Sequence, residues 1–160
     1  MKFIYGSVAL LLSGCAIQAI PYEAPAGSIN VNFTVENRLS HSMFVHAYND
    51  AKECQGRRLI SFLQSRHSKA VGIPVEKEFA YSLTALVPNS KYCKMAVSFH
   101  PENENEYFST MDYDQANNIC LLSLKKRSRE GVVETVEPFY TRELGGLILD
   151  ESSSFCKKRN

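Results

Sequence analysis

The sequence predicts an all-β fold: one sandwich of seven or eight short antiparallel strands, stapled by disulfides. Three observations carry that expectation. Apolar residues recur with period two in one segment after another, the signature of half-buried strands. Clusters of turn-forming residues separate those segments at short, regular spacing. Cysteines are scattered through the body of the chain, with no long amphipathic helical pattern between them.

The first strand is expected over 29–36, where Ile29, Val31, Phe33 and Val35 alternate with Asn30, Asn32, Thr34 and Glu36. Asn37-Arg38-Leu39-Ser40 turns the chain into a second strand over 43–48, closed by Asn49-Asp50. Residues 57–64 are ambiguous. As a strand they align Leu59, Ser61 and Leu63; as a short helix they align Leu59, Phe62, Leu63 and Arg66. Short length and the lack of caps favour the strand. Residues 71–75 hold Gly72 and Pro74 and suit an edge or a connection. Alternation returns over 78–86 (Phe79, Tyr81, Leu83, Ala85) and over 93–99 (Cys93, Met95, Val97, Phe99). Further strands are expected over 107–111, 119–125 (Cys120, Leu122, Leu124) and 132–140, the last ending near Pro138. The tail 141–160 holds Gly145-Gly146, a short apolar piece at 147–149 and Cys156.

The start of the chain has a different character. Lys2 precedes an apolar run to Leu12, followed by Ser13, Gly14 and Cys15. That is the charged, apolar and small-residue plan of a secretory signal. The run of about ten residues is half of what spans a bilayer. Leu12-Ser13-Gly14-Cys15 resembles the lipobox of bacterial lipoproteins. The resemblance implies cleavage before Cys15 and a lipid on its thiol, so 1–14 is a signal peptide and Cys15 the membrane anchor. Two or more acyl chains make such an anchor stable. By the same resemblance, Ala16 in place of Asp implies sorting to the outer membrane of a Gram-negative envelope. Residues 15–28, with two prolines and one glycine, read as a lipidated Cys and flexible tether reaching roughly 40 Å. The β domain then occupies 29–160. The chain has no Trp, so the Cys–Trp–Cys signature of a true immunoglobulin domain is absent. The expected topology is an immunoglobulin-like or transthyretin-like sandwich, with a small barrel as the alternative.

With Cys15 set aside, Cys54, Cys93, Cys120 and Cys156 remain, an even number that implies two disulfides in an oxidising compartment. Cys93 and Cys120 both stand near strand starts on apolar faces, which favours Cys93–Cys120 and leaves Cys54–Cys156 to hold the tail. The latter closes a loop worth about 4.7 kcal/mol in the chain-entropy model.

Lys and Arg total 18 against 17 Asp and Glu, and loss of Lys2 balances the two, so no field attracts nucleic acid. The sequence carries no Gly-x-Ser-x-Gly, His-Glu-x-x-His or phosphate-cradling glycine loop. His41, His46, His67 and His100 read as loop and surface residues. Glu102, Glu104, Glu106, Asp112 and Asp114 invite comparison with a Ca²⁺ site but match no known loop spacing. Arg57-Arg58, Lys125-Lys126-Arg127-Arg129 and Lys157-Lys158-Arg159 suit solvated strand ends or contact with lipid phosphates. The expectation is an outer-membrane lipoprotein that is not an enzyme, has no cofactor or metal beyond its lipid, and binds an unidentified envelope protein. Its pattern loosely resembles small cysteine-bearing bacterial lipoproteins of unassigned activity. A hydrolase inhibitor, against lysozyme for instance, and an accessory lipoprotein of a secretion or envelope complex are the alternatives.

Overall fold

The computed structural model describes residues 19–75, 77–88, 91–144 and 156–158, with side chains left undescribed at 143, 144 and 156–158. Residues 1–14, expected to be a signal peptide, and Cys15 lie outside the described residues.

Eight strands of seven to nine residues form the body: β1 (Asn30–Asn37), β2 (Met43–Asp50), β3 (Gln55–Leu63), β4 (Ser68–Pro74), β5 (Phe79–Val87), β6 (Lys91–Phe99), β7 (Glu106–Asp114) and β8 (Ile119–Arg127). Three shorter ones follow: β9 (Val133–Thr135), β10 (Tyr140–Leu144) and β11 (Cys156–Lys158). They build a five-stranded sheet ordered β4-β1-β7-β8-β9 and a six-stranded sheet ordered β11-β10-β6-β5-β2-β3. The all-β sandwich is therefore the fold. Its order differs from the immunoglobulin arrangement, in which the first strand shares a sheet with the second; here β1 and β2 lie in opposite sheets.

The alternating residues behave as their period requires. Val31, Phe33 and Val35 from β1 meet Tyr81, Leu83, Val97 and Phe99 from the other sheet in one core. Phe33 packs edge-on against Tyr81 at 4.9 Å and against Phe79 at 5.3 Å between ring centroids. Such aromatic contacts add about 0.5–1.5 kcal/mol each beyond area burial. Tyr81 and Ser109, both buried, share a 2.7 Å hydroxyl contact across the sheets, so the phenol is not left unpartnered in the core.

Four sequence expectations are corrected. First, the strands are not all antiparallel, because β1 runs parallel to β7, Phe33 facing Tyr107 and Asn37 facing Met111. Second, the expected last strand over 132–140 is two strands in different sheets. The β9 ladder ends at Thr135, with Val136 N still donating to Leu124 O; past Pro138, which has no N–H to donate, the chain crosses from the five-stranded to the six-stranded sheet. Third, the strand expected over 107–111 continues as far as Asp114, which pairs with Ile119. Fourth, the described part of the expected tether is docked. Tyr22 N donates to Leu59 O and Leu59 N to Ile20 O, both at 2.8 Å. The Tyr22 ring packs on Phe79 at 6.1 Å while its hydroxyl donates to Gly72 O.

The ambiguity of 57–64 has a physical source. Val45 pairs with Ser61 but His46 with Leu59, so β3 bulges at Ile60. The extra residue buries Ile60 as well as Leu63, three apart, which is a helical spacing produced by a bulged strand.

Candidate interaction surface

The disulfide Cys93–Cys120 links β6 to β8, one strand from each sheet, with the Cα atoms 5.8 Å apart. It is an inter-sheet staple set among buried residues. Cys54 is also disulfide-bonded. The side chain of Cys156, its expected partner, lies outside the described residues, as does Arg159 of the terminal basic cluster.

Sequence separation hides the fate of the acidic loop and one basic cluster: the fold brings them together. Lys126 Nζ stands 2.8 Å from Glu102 Oε2 and 3.4 Å from Glu134 Oε1, Arg127 pairs with Glu106, and Arg129 lies 3.7 Å from Glu104. The hydrogen bond that Lys126 donates to Glu102 holds its ammonium above the ordinary pKa. Asp112 and Asp114 sit at the other end of β7. Asp114 Oδ1 accepts from Ala116 N and Asn117 N, and Oδ2 from Asn117 Nδ2. The Asn117 bonds hold its carboxyl below the usual range. These carboxylates do not converge; among the described residues no three His, Cys, Asp or Glu side chains gather as a metal site.

The histidines separate too. His67 is exposed, its Nδ1 against Ser65 O at 2.9 Å, and His100 lies exposed just past β6. His41 borders a polar cleft of about 160 Å³ with Arg38, Ser40, Asp112, Tyr113 and Gln115, where the β1–β2, β5–β6 and β7–β8 turns meet. Arg38 Nη2 there donates to Glu36 Oε2 at 3.1 Å, which raises its pKa.

His46 belongs to a surface that the sequence reading did not single out. Along the outer side of the six-stranded sheet, Phe44 faces Phe62 on β3 and Thr84 on β5, Thr84 faces Lys94 on β6, and Leu86 faces Tyr92. Phe44, Phe62, Leu86 and Tyr92 are 46%, 51%, 45% and 64% exposed, so this is a contiguous apolar patch rather than scattered surface residues. The Phe44 and Phe62 rings lie 4.7 Å apart, His46 stacks on Phe44, and Lys94 Nζ sits 5.3 Å over the Tyr92 ring. Burial, and then the charge of Arg57, push the His46 imidazole down to about 4. The available signal was Phe44 itself, a large apolar residue on the wet side of an alternating strand.

The lower half of the same face is closed. Ala51 and Cys54, from the β2–β3 turn, pack with Tyr48, Ala80 and Ala96 in a second small cluster. Arg142 crosses it fully buried: Nη2 donates to Glu78 Oε1, Nε to Ser98 Oγ and Nη1 to Lys52 O, at 2.8–2.9 Å.

The class defined by this geometry is a disulfide-stapled β-sandwich with one half-open aromatic face and a polar cleft at one end. No protein-family model matches the chain, and neither a curated protein nor a solved structure matches it.

Proposed function

We propose that the chain is a lipid-anchored, non-enzymatic interaction module of the Gram-negative cell envelope, carried on Cys15 at the outer membrane and binding an envelope protein. The observation that carries this reading is Leu12-Ser13-Gly14-Cys15 behind a short apolar run with one basic residue. Disulfide chemistry supports the compartment, because such bonds persist in the oxidising space beyond the inner membrane. The polar cleft at the turn-rich end supports binding, since recognition side chains concentrate on loops held by a rigid scaffold. The charged groups singled out as candidate chemistry are largely engaged in pairing strands and closing turns, which supports a role other than catalysis.

Expression of the full chain in a Gram-negative host tests the anchor. The N-terminal peptide is expected to begin at Cys15 with diacylglycerol and acyl mass added, and Cys15→Ser is expected to leave the outer-membrane fraction. An unlipidated Cys15 refutes the reading. Capture from envelope extracts, with Asp112→Ala and Tyr113→Ala as comparison baits, tests the module; a partner retained equally by all three baits does not use the cleft.

A further inference from the structure

We propose that the outer face of the six-stranded sheet, from β3 across to Lys94, rests on the phospholipid leaflet that carries the anchor. This inference rests on the lipid-anchor reading above and adds how the domain sits.

Three observations converge on it. The first is chain length. Ile20 and Tyr22 are hydrogen-bonded to Leu59 on β3, the edge strand of the six-stranded sheet. Five residue steps separate Cys15 from Ile20, which reach at most about 17 Å. A lipid at Cys15 therefore holds the β3 edge close to the bilayer, where a wholly free tether would allow the domain to stand off.

The second is the composition of the face at that edge. Phe44, Phe62, Leu86 and Tyr92 are all near half exposed or more and adjoin one another through the β3-β2-β5-β6 register. Aromatic rings of this kind settle at the headgroup level of a bilayer.

The third is charge. Arg57 stands at the anchor end of β3 on this face, opposite Tyr48, and Lys94 stands across the face from it, opposite Thr84. On this face β5 and β6 present no Asp or Glu. β2 presents Asp50 at the Arg57 end, where the carboxylate caps the following turn through Lys52 N, and Glu78, just before β5, is held by Arg142. A face that is apolar at its centre and cationic at its margins matches lipid phosphates over acyl chains. An isologous contact with a second copy would bring this cationic face against itself.

The chain has no Trp, so a single introduced indole reports its own distance from a bilayer. The lipidated full chain is reconstituted in phosphatidylethanolamine–phosphatidylglycerol vesicles holding a dansyl-labelled headgroup, with the donor as Phe62→Trp or Val133→Trp. Both side chains are more than half exposed. Val133 is on β9 in the other sheet, which stacks about 10 Å farther from the leaflet. Energy transfer is expected to be several-fold greater from Phe62→Trp, and to fall by more than half when Arg57→Glu and Lys94→Glu are added to it. Equal or reversed transfer from two lipidated, floating variants overturns the docking and leaves the anchor reading standing. Transfer unaffected by the charge reversals overturns the headgroup assignment. A chain that is unlipidated and does not float overturns both.

Discussion

Asn37 offers the sharpest test of how this sandwich is closed. It ends β1 and is fully buried. Its Nδ2 donates to His41 O, Leu63 O and Gln64 O at 2.8, 3.1 and 3.0 Å, and its Oδ1 accepts from Leu39 N at 3.0 Å. One amide thus joins the β1–β2 turn to the end of β3. Asn37→Asp keeps the shape but replaces the donor with an oxygen facing three carbonyls. Losing three bonds of about 1 kcal/mol each, with a carboxylate left against acceptors, costs about 4 kcal/mol at pH 7. That is a large share of the roughly 5–15 kcal/mol that holds an ordinary domain. The sign with pH follows. The carbonyls disfavour the charged form, so the folded pKa of the new Asp lies above the ordinary value of about 3.9. Below about 3.9 both states are protonated and the acid regains one donor. The deficit relative to wild type then grows as pH rises through the elevated pKa. Urea unfolding of both proteins at pH 4 and pH 7, followed by circular dichroism, measures the difference while shared terms cancel. An Asn37→Asp protein within about 1 kcal/mol of wild type at pH 7 would refute the reasoning, as would a deficit that does not change with pH.

The remaining predictions concern the other buried connections. Cys93 and Cys120 are 27 residues apart, so the Cys93→Ser, Cys120→Ser double variant is expected to lose about 3.5 kcal/mol in the chain-entropy model; equal unfolding midpoints for the two proteins would contradict it. Burial and Arg57 hold His46 at about 4, below its unfolded value of about 6.5, so the folded state resists the proton that the unfolded state accepts. Stability is then full above pH 6.5 and is lost as pH falls toward 4, by on the order of 3 kcal/mol. His46→Gln is expected to flatten that part of the pH–stability curve, and an unchanged slope would remove His46 as its cause. Arg142→Met leaves the partly buried Glu78 without its guanidinium and is expected to cost about 3 kcal/mol. Adding Glu78→Gln is expected to recover part of that loss in a double-mutant cycle, whereas simple additivity would mean that the two side chains do not act as a pair. The exposed pairs at Glu104–Arg129 and Glu106–Arg127 are expected to behave oppositely, with Glu106→Gln shifting stability by less than about 1 kcal/mol.

How much of this was legible varied with the range of the interaction. Val31, Phe33 and Val35 announce β1 because period two is a local property of a pleated strand with one wet face. Cys93 and Cys120 were paired from the apolar faces of their strands, and each lies in a different sheet. The β3 stretch read ambiguously, because the bulge at Ile60 changes the local period, but the favoured strand is what forms. The candidate surface was less legible. Phe44 and Phe62 are 18 residues apart in sequence, and only the β2–β3 register sets their rings together. Glu102 and Lys126 likewise look like two unrelated clusters until the β7–β8 hairpin closes.

By itself, then, the sequence determined an all-β chain, its principal strands and the sandwich class, because side-chain alternation and turn chemistry act over a few residues. Only the tertiary structure decided that β1 runs parallel to β7, that the chain changes sheets at Pro138, that residues 20–22 dock on β3, and that acidic and basic loops neutralise each other. Those outcomes depend on pairings between distant segments, where backbone hydrogen bonds are alike for every sequence. The choice among partners is made by how side chains fill the shared core.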